Sequence, residues 1–163
     1  VTSGYQCSIC GQHHDGLLTD QAYKLPDAVW AIPEDDRAER ARFNSDLCQM
    51  GERYFIRCVL GVPFTESEGE FAWGAWAEVD WSIFERYLEL YDEDGSSEPP
   101  KDGILANDLP PYPSSIGSPV KIQFRDPTKR PRLSLLSEDF SLLADEQRRG
   151  IDAKRWHDIL ALC

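Results

Sequence analysis

The sequence predicts an α+β fold: a mainly antiparallel sheet, packed helices and an N-terminal zinc-knuckle-like turn. Three observations lead there. Apolar residues alternate along 53–60 and 71–79, the period of a strand with one buried face. They recur at helical spacing in 82–91 and again in 153–163. Residues 5–18, "YQCSICGQHHDGLL", place a C-x-x-C, a glycine and two adjacent histidines in one turn-rich stretch. The chain of 163 residues is read as a single domain spanning 1–163, with the knuckle at 5–18 and an exposed acidic loop at 92–103.

Element by element, "KLPDAVWAIP" reads as extended chain held by prolines, and "PEDDRAERARFN" as a short helix with acids first and arginines later, the order the helix dipole favours. "DLCQMGERYFIRCVLGVPF" reads as a hairpin turning near Gly51, with Tyr54, Ile56, Cys58 and Leu60 on one face. "GEFAWGAWAEVDW" is a second strand, with Phe71, Trp73, Ala75, Ala77 and Val79 on one face and Trp76 on the other. A strand that is apolar on both faces is central, or it carries an exposed anchor. "SIFERYLELYD" is the clearest helix: Ser82 and Glu85 match a capping box, and Phe84, Tyr87, Leu88 and Tyr91 share a face. "DEDGSSEPPKDG" and "LPPYPSS" read as irregular segments. "VKIQFRD" and "RPRLSLLS" form a strand pair, and two helices close the chain, one from Ser141 to Arg149 stopped by Gly150 and one capped by Asp152.

Net charge is −12. Residues 1–118 hold 8 Lys and Arg against 22 Asp and Glu, whereas residues 119–163 hold 9 against 7. Such a chain repels nucleic acid and anionic membrane and is steered toward basic partners. The candidate partner-binding residues are Glu66, Glu68 and Glu70, then Asp92, Glu93 and Asp94, with Trp76 as the anchor. The same acids also read as solubilising surface. No apolar run approaches a membrane span, and no signal-peptide pattern opens the chain, so a cytoplasmic protein is expected.

Five cysteines at irregular spacing suit reduced thiols or a metal better than a disulfide framework. Cys7 and Cys10, followed by Gly11, have the shape of half a zinc site. One histidine of His13 and His14, with Cys48 returned by the intervening helix, completes a Cys3His set. A redox pair expects the motif between a strand and a helix, and "GQHHDG" opens no helix. Cys58 reads as a buried core thiol. The serine-hydrolase elbow, the phosphate-binding loop, the H-E-x-x-H metalloprotease motif and the dinucleotide fingerprint do not occur in the sequence.

"CSICGQHHDG", "KLPDAVWAIPEDDRAERARFNSDLC", "RYFIRCVLGVPF", "FAWGAWAEVDWSIFERYLELYD", "LPPYPSS" and "EQRRGI" together resemble an uncharacterised bacterial family, domain of unknown function 2199. The resemblance runs over nearly the whole chain. It implies zinc ligands at Cys7, Cys10, His14 and Cys48, selecting His14 over His13, and it implies no activity. Two functions follow as expectations. In one, four protein ligands close a structural zinc site and the protein binds a basic macromolecule without catalysis; by analogy alone, this suits an immunity-like role. In the other, three ligands leave a coordination position for water, and the protein is a zinc-dependent hydrolytic enzyme. Cys48 discriminates between them.

Overall fold

The computed structural model describes residues 19–162 together with the backbone of residues 5–6 and 13–14. Strands β6 (Arg53–Pro63) and β7 (Glu70–Val79) form the centre, paired antiparallel from Tyr54↔Val79 to Pro63↔Glu70. Their alternation turns Ile56, Cys58, Leu60 and Val62 inward with Phe71, Trp73, Ala75 and Ala77, all fully buried. Strands β8 (Lys101–Leu105), β9 (Pro119–Gln123) and β10 (Arg132–Leu135) follow as antiparallel neighbours. β10 then returns to β6 in parallel, through Arg132↔Val59 and Leu133↔Leu60. The sheet thereby closes into a five-stranded barrel, β6-β7-β8-β9-β10. Closure leaves these strands fewer open edges, and the fold is α+β.

More strands extend the sheet beyond the barrel. β5 (Leu47–Met50) pairs antiparallel with β6, and β4 (Arg42–Phe43) with β5. β3 (Asp20–Ala22) lies parallel to β7. The β5–β6 turn is Gly51-Glu52, where the sequence places it; Gly51 takes a φ of 61°, which glycine adopts without the steric cost other residues bear. Gly61 serves a different need. A Cβ there would come within 1.9 Å of a Glu70 carboxylate oxygen, so its bare backbone leaves room for the bidentate Glu70–Arg132 pair across the barrel wall.

Helix α1 (Asp27–Trp30) replaces the extended chain expected for "KLPDAVWAIP". Its start is pinned from outside: the Asp27 N–H donates to the Ala106 carbonyl, and its carboxylate accepts from the Asn107 amide and the Asp108 N–H. Local sequence cannot reveal those partners. α2 (Glu34–Arg40) forms over the first part of the expected helix, whose end is instead β4, and Arg37 folds back to donate to the carbonyls of Val29, Trp30 and Ile32. α3 (Trp81–Glu89) begins before the expected capping box. Asp80 is the N-cap: its Oδ1 accepts from the Ile83 N–H at 3.1 Å and the Ser82 hydroxyl at 2.6 Å. Phe84 of α3 is buried in the barrel core, while Leu88 and Tyr91 are exposed. α4 (Leu142–Arg149), capped by Ser141, and α5 (Ala153–Leu162), whose Arg155 N–H bonds Asp152, match the sequence reading.

The stretch 92–103 is not one exposed loop. β8 starts at Lys101, Gly95 is buried against Phe124, and Glu98 pairs with Arg86 and Lys101. Two cores result. The larger fills the barrel; the smaller covers the outer face of β6 and β7 with Leu25, Val29, Ile32, Cys48, Phe55 and Trp76. Among the described residues, no helix is long and apolar enough to cross a membrane.

Candidate functional site

The β5–β6 turn, the end of β7 and part of β8 meet at one end of the barrel around an open cleft of about 450 Å³. Glu52, Glu78, Asp80 and Asp102 line it, with Val79 and Ile104 as its apolar floor, and no lysine or arginine lines it. Glu52 comes from the β5–β6 turn and makes no side-chain hydrogen bond or ion pair among the described residues. Glu78 holds Arg53 through both oxygens, at 2.8 and 3.0 Å, and Lys121 pairs with Asp102. The Asp80 carboxyl lies below the ordinary carboxylate range, because the Ser82 hydroxyl and then the Ile83 N–H stabilise its charged form. Ile104 is 47% exposed, and Trp81, next to Asp80, is 48% exposed. Large apolar side chains left in water beside acids give the cleft both a charge and a contact surface.

The residues singled out from sequence fare differently. Trp76 is no exposed anchor: it is fully buried under α1 and Ile32, and its Nε1 donates to the Tyr23 carbonyl at 2.9 Å. The central-strand reading of Trp76 is the one the structure supports. Glu66 accepts from the Ala153 N–H at the start of α5. Glu70 is held by Arg132 at 2.6 and 2.7 Å, which depresses its pKa. Asp94 accepts from the Ser96 N–H. Glu68, Asp92 and Glu93 are exposed. Several acids of the two quoted clusters are thus spent within the fold. Sequence reading missed Glu52, Glu78, Asp80 and Asp102, because isolated acids at strand ends carry no motif.

Of the expected zinc ligands, Cys7, Cys10 and the side chain of His14 lie outside the described residues, as does Cys163. The backbone of β1 (Tyr5–Gln6) and β2 (His13–His14) pairs antiparallel, with Gln6↔His13 and Tyr5↔His14. Cys48 is described: 1% exposed, walled by apolar side chains, its thiol pushed up to about 11 by burial. Cys48 also borders a small pocket with Arg42, Asn44 and Gln49. Among the described residues, no group of three His, Cys, Asp or Glu stands ready for a metal. Cys58 is the buried barrel thiol the alternation calls for; burial raises its pKa, and it donates to the Ile56 carbonyl.

Fold and cleft together define a small α+β barrel protein with charged clefts on its surface. The chain belongs to domain of unknown function 2199, a family of uncharacterised proteins conserved in bacteria, whose model matches residues 6–151. No curated protein and no solved structure matches it.

Proposed function

We propose that this protein acts by binding a basic macromolecular partner at the acidic cleft of Glu52, Glu78, Asp80 and Asp102, and not by catalysis. The carrying observation is the cleft itself: four carboxylates line it and no lysine or arginine does, Glu78 and Asp102 being paired with Arg53 and Lys121 from outside the lining; Ile104 in the lining and Trp81, next to Asp80 in the chain, are exposed. The acids set the sign of the partner and speed its approach, and the apolar pair supplies the contact area that charge alone lacks. Glu68, at the opposite end of β6 and β7, and Asp92 and Glu93, past the end of α3, lie away from this cleft. Titration with a peptide alternating lysine and leucine tests this, with its glutamate counterpart as control. Glu52→Lys with Asp102→Lys should abolish saturable binding, while reversing Glu68, Asp92 and Glu93 should leave it nearly intact. Equal losses from both sets would reduce the effect to net charge and end the proposal.

The same reading gives the N-terminal hairpin a structural zinc on Cys7, Cys10, His14 and Cys48. The C-x-x-C followed by Gly11 and His14 is what supports it, the residue types and spacing of half a zinc site. Cys48 is the ligand with a competing role in the outer core. Elemental analysis separates the two: one zinc per chain, lost in Cys10→Ser, is expected. Zinc retained in Cys48→Ala removes Cys48 from the set, and a metal-free chain removes zinc altogether.

A further inference from the structure

β6 changes neighbours along its length. Up to Ile56 its partner is β5; from Val59 it is β10. Between them the Arg57 N–H donates to the Asp46 carbonyl and the Val59 N–H to the Pro131 carbonyl, so the sheet forks. A cleft of about 380 Å³ opens at the fork, bounded by Asp46 and Val59, by Lys129 and Arg130 of the 124–131 loop, and by Tyr87 and Tyr91 from the last turn of α3 and just beyond it. That volume lies within the range of small-molecule sites, which run from about 300 to 1,000 Å³.

The charges at the fork run against the rest of the molecule. Lys129 and Arg130 line it, and Arg57 and Arg125 stand behind. Burial, and then the charge of Arg130, lower the Arg57 pKa, with Asp46 partly offsetting them; burial, and then Arg132, lower that of Arg125. Cations that are partly desolvated and repel one another gain when an anion arrives. Two carboxylates offset part of this charge: Lys129 pairs with Asp126 at 3.9 Å, and Asp46 accepts from the Tyr91 hydroxyl at 2.8 Å through Oδ2 and from Arg130 Nε at 3.1 Å through Oδ1. This contact fixes the Arg130 guanidinium through Nε, and its terminal amino groups have no partner among the described residues. Opposite the cations, Tyr87 and Tyr91 meet edge to face, their ring centroids 6.0 Å apart, and Pro127 adds apolar surface.

We propose that this cleft binds a small molecule with an oxyanion head and an aromatic or apolar body, the head on Arg130 and Lys129 and the body against Tyr87, Tyr91 and Pro127. Guanidinium geometry suits carboxylate and phosphate alike. The test is calorimetric titration of the full chain with phenyl phosphate, benzoate and, as a cationic counterpart, benzylamine. Saturable binding of at least one anion and none of benzylamine is expected; tighter phenyl phosphate assigns a phosphate head, tighter benzoate a carboxylate. Arg130→Gln should weaken binding by about tenfold, the scale of one charge-assisted hydrogen-bond contact. Lys129→Glu, at a side chain that is 60% exposed, should weaken it without changing the melting curve, which keeps the test valid if Arg130→Gln is unstable. Benzylamine binding as well as benzoate would overturn the proposal. So would the absence of saturation by either anion up to about 10 mM, well above the Kd of a weak small-ligand site, and so would anion binding that neither substitution alters.

Discussion

The two ends of α3 face opposite electrostatic surroundings. At the start, Asp80 joins Glu52, Glu78 and Asp102 in a cleft with no cation in its lining. Toward the end, Tyr87 and the nearby Tyr91 share a cleft with Lys129 and Arg130. The helix between them is nine residues long, about 13 Å at 1.5 Å per residue. A net charge of −12 describes the first cleft and misdescribes the second. Each sign matches the helix end it faces, since carboxylates are favoured near an N-terminus and cations near a C-terminus. What differs is the supply: turns and strand ends bring acids to one end, and the single loop 124–131 brings the run "RDPTKRP" to the other. They also differ in the groups that carry the charge: carboxylates line the first cleft, a guanidinium and an ammonium the second.

The largest expected effect strikes both clefts at once. Phe84 anchors α3 in the barrel core against Tyr54, their ring centroids 5.2 Å apart. Phe84→Ala should cost about 3–5 kcal/mol in chemical denaturation, as large core truncations do, and should weaken both ligands together. Loss of one ligand alone would mean that α3 does not couple the two sites.

Asn107→Ala should come next, at about 2–4 kcal/mol. Asn107 is fully buried: its amide donates to the Leu25 carbonyl and to Asp27, and its oxygen accepts from the Trp76 N–H. Truncation leaves buried backbone groups unpaired, at about 1–3 kcal/mol for each. These contacts lie in the outer layer, away from α3, so ligand affinities measured on the folded variant should be unchanged. A shift in either affinity would tie the outer layer to the clefts.

Asp80→Ala should be the mildest, at about 1 kcal/mol for a lost N-cap, and it should weaken only the basic peptide. Its pH signature follows from the depressed pKa. The folded group titrates below its ordinary value of 3.8, so its contribution is present above that value and is lost as pH falls through the folded one. The stability gap between wild type and Asp80→Ala should therefore be flat near neutrality and close in acid. A gap independent of pH would mean that Asp80 does not act through its charge.

The sequence by itself determined the elements whose evidence is local. Alternation marked Ile56, Cys58 and Leu60 as the inner face of β6, glycine marked the turn at 51, and Gly150 and Asp152 marked the break between the last two helices, because side-chain period and capping are set by a few consecutive residues. The C-x-x-C was legible for the same reason. Tertiary structure alone decided the rest. Barrel closure pairs Leu60 with Leu133 through backbone hydrogen bonds, which leave no trace in the side-chain pattern. α1 depends on Asn107 and Asp108, some eighty residues away, and Trp76 is buried because that distant layer folds over it. Both clefts belong to this class. Each combines side chains from segments far apart in sequence, so its sign follows from which strand ends and loops the barrel brings together, and composition averages that information away.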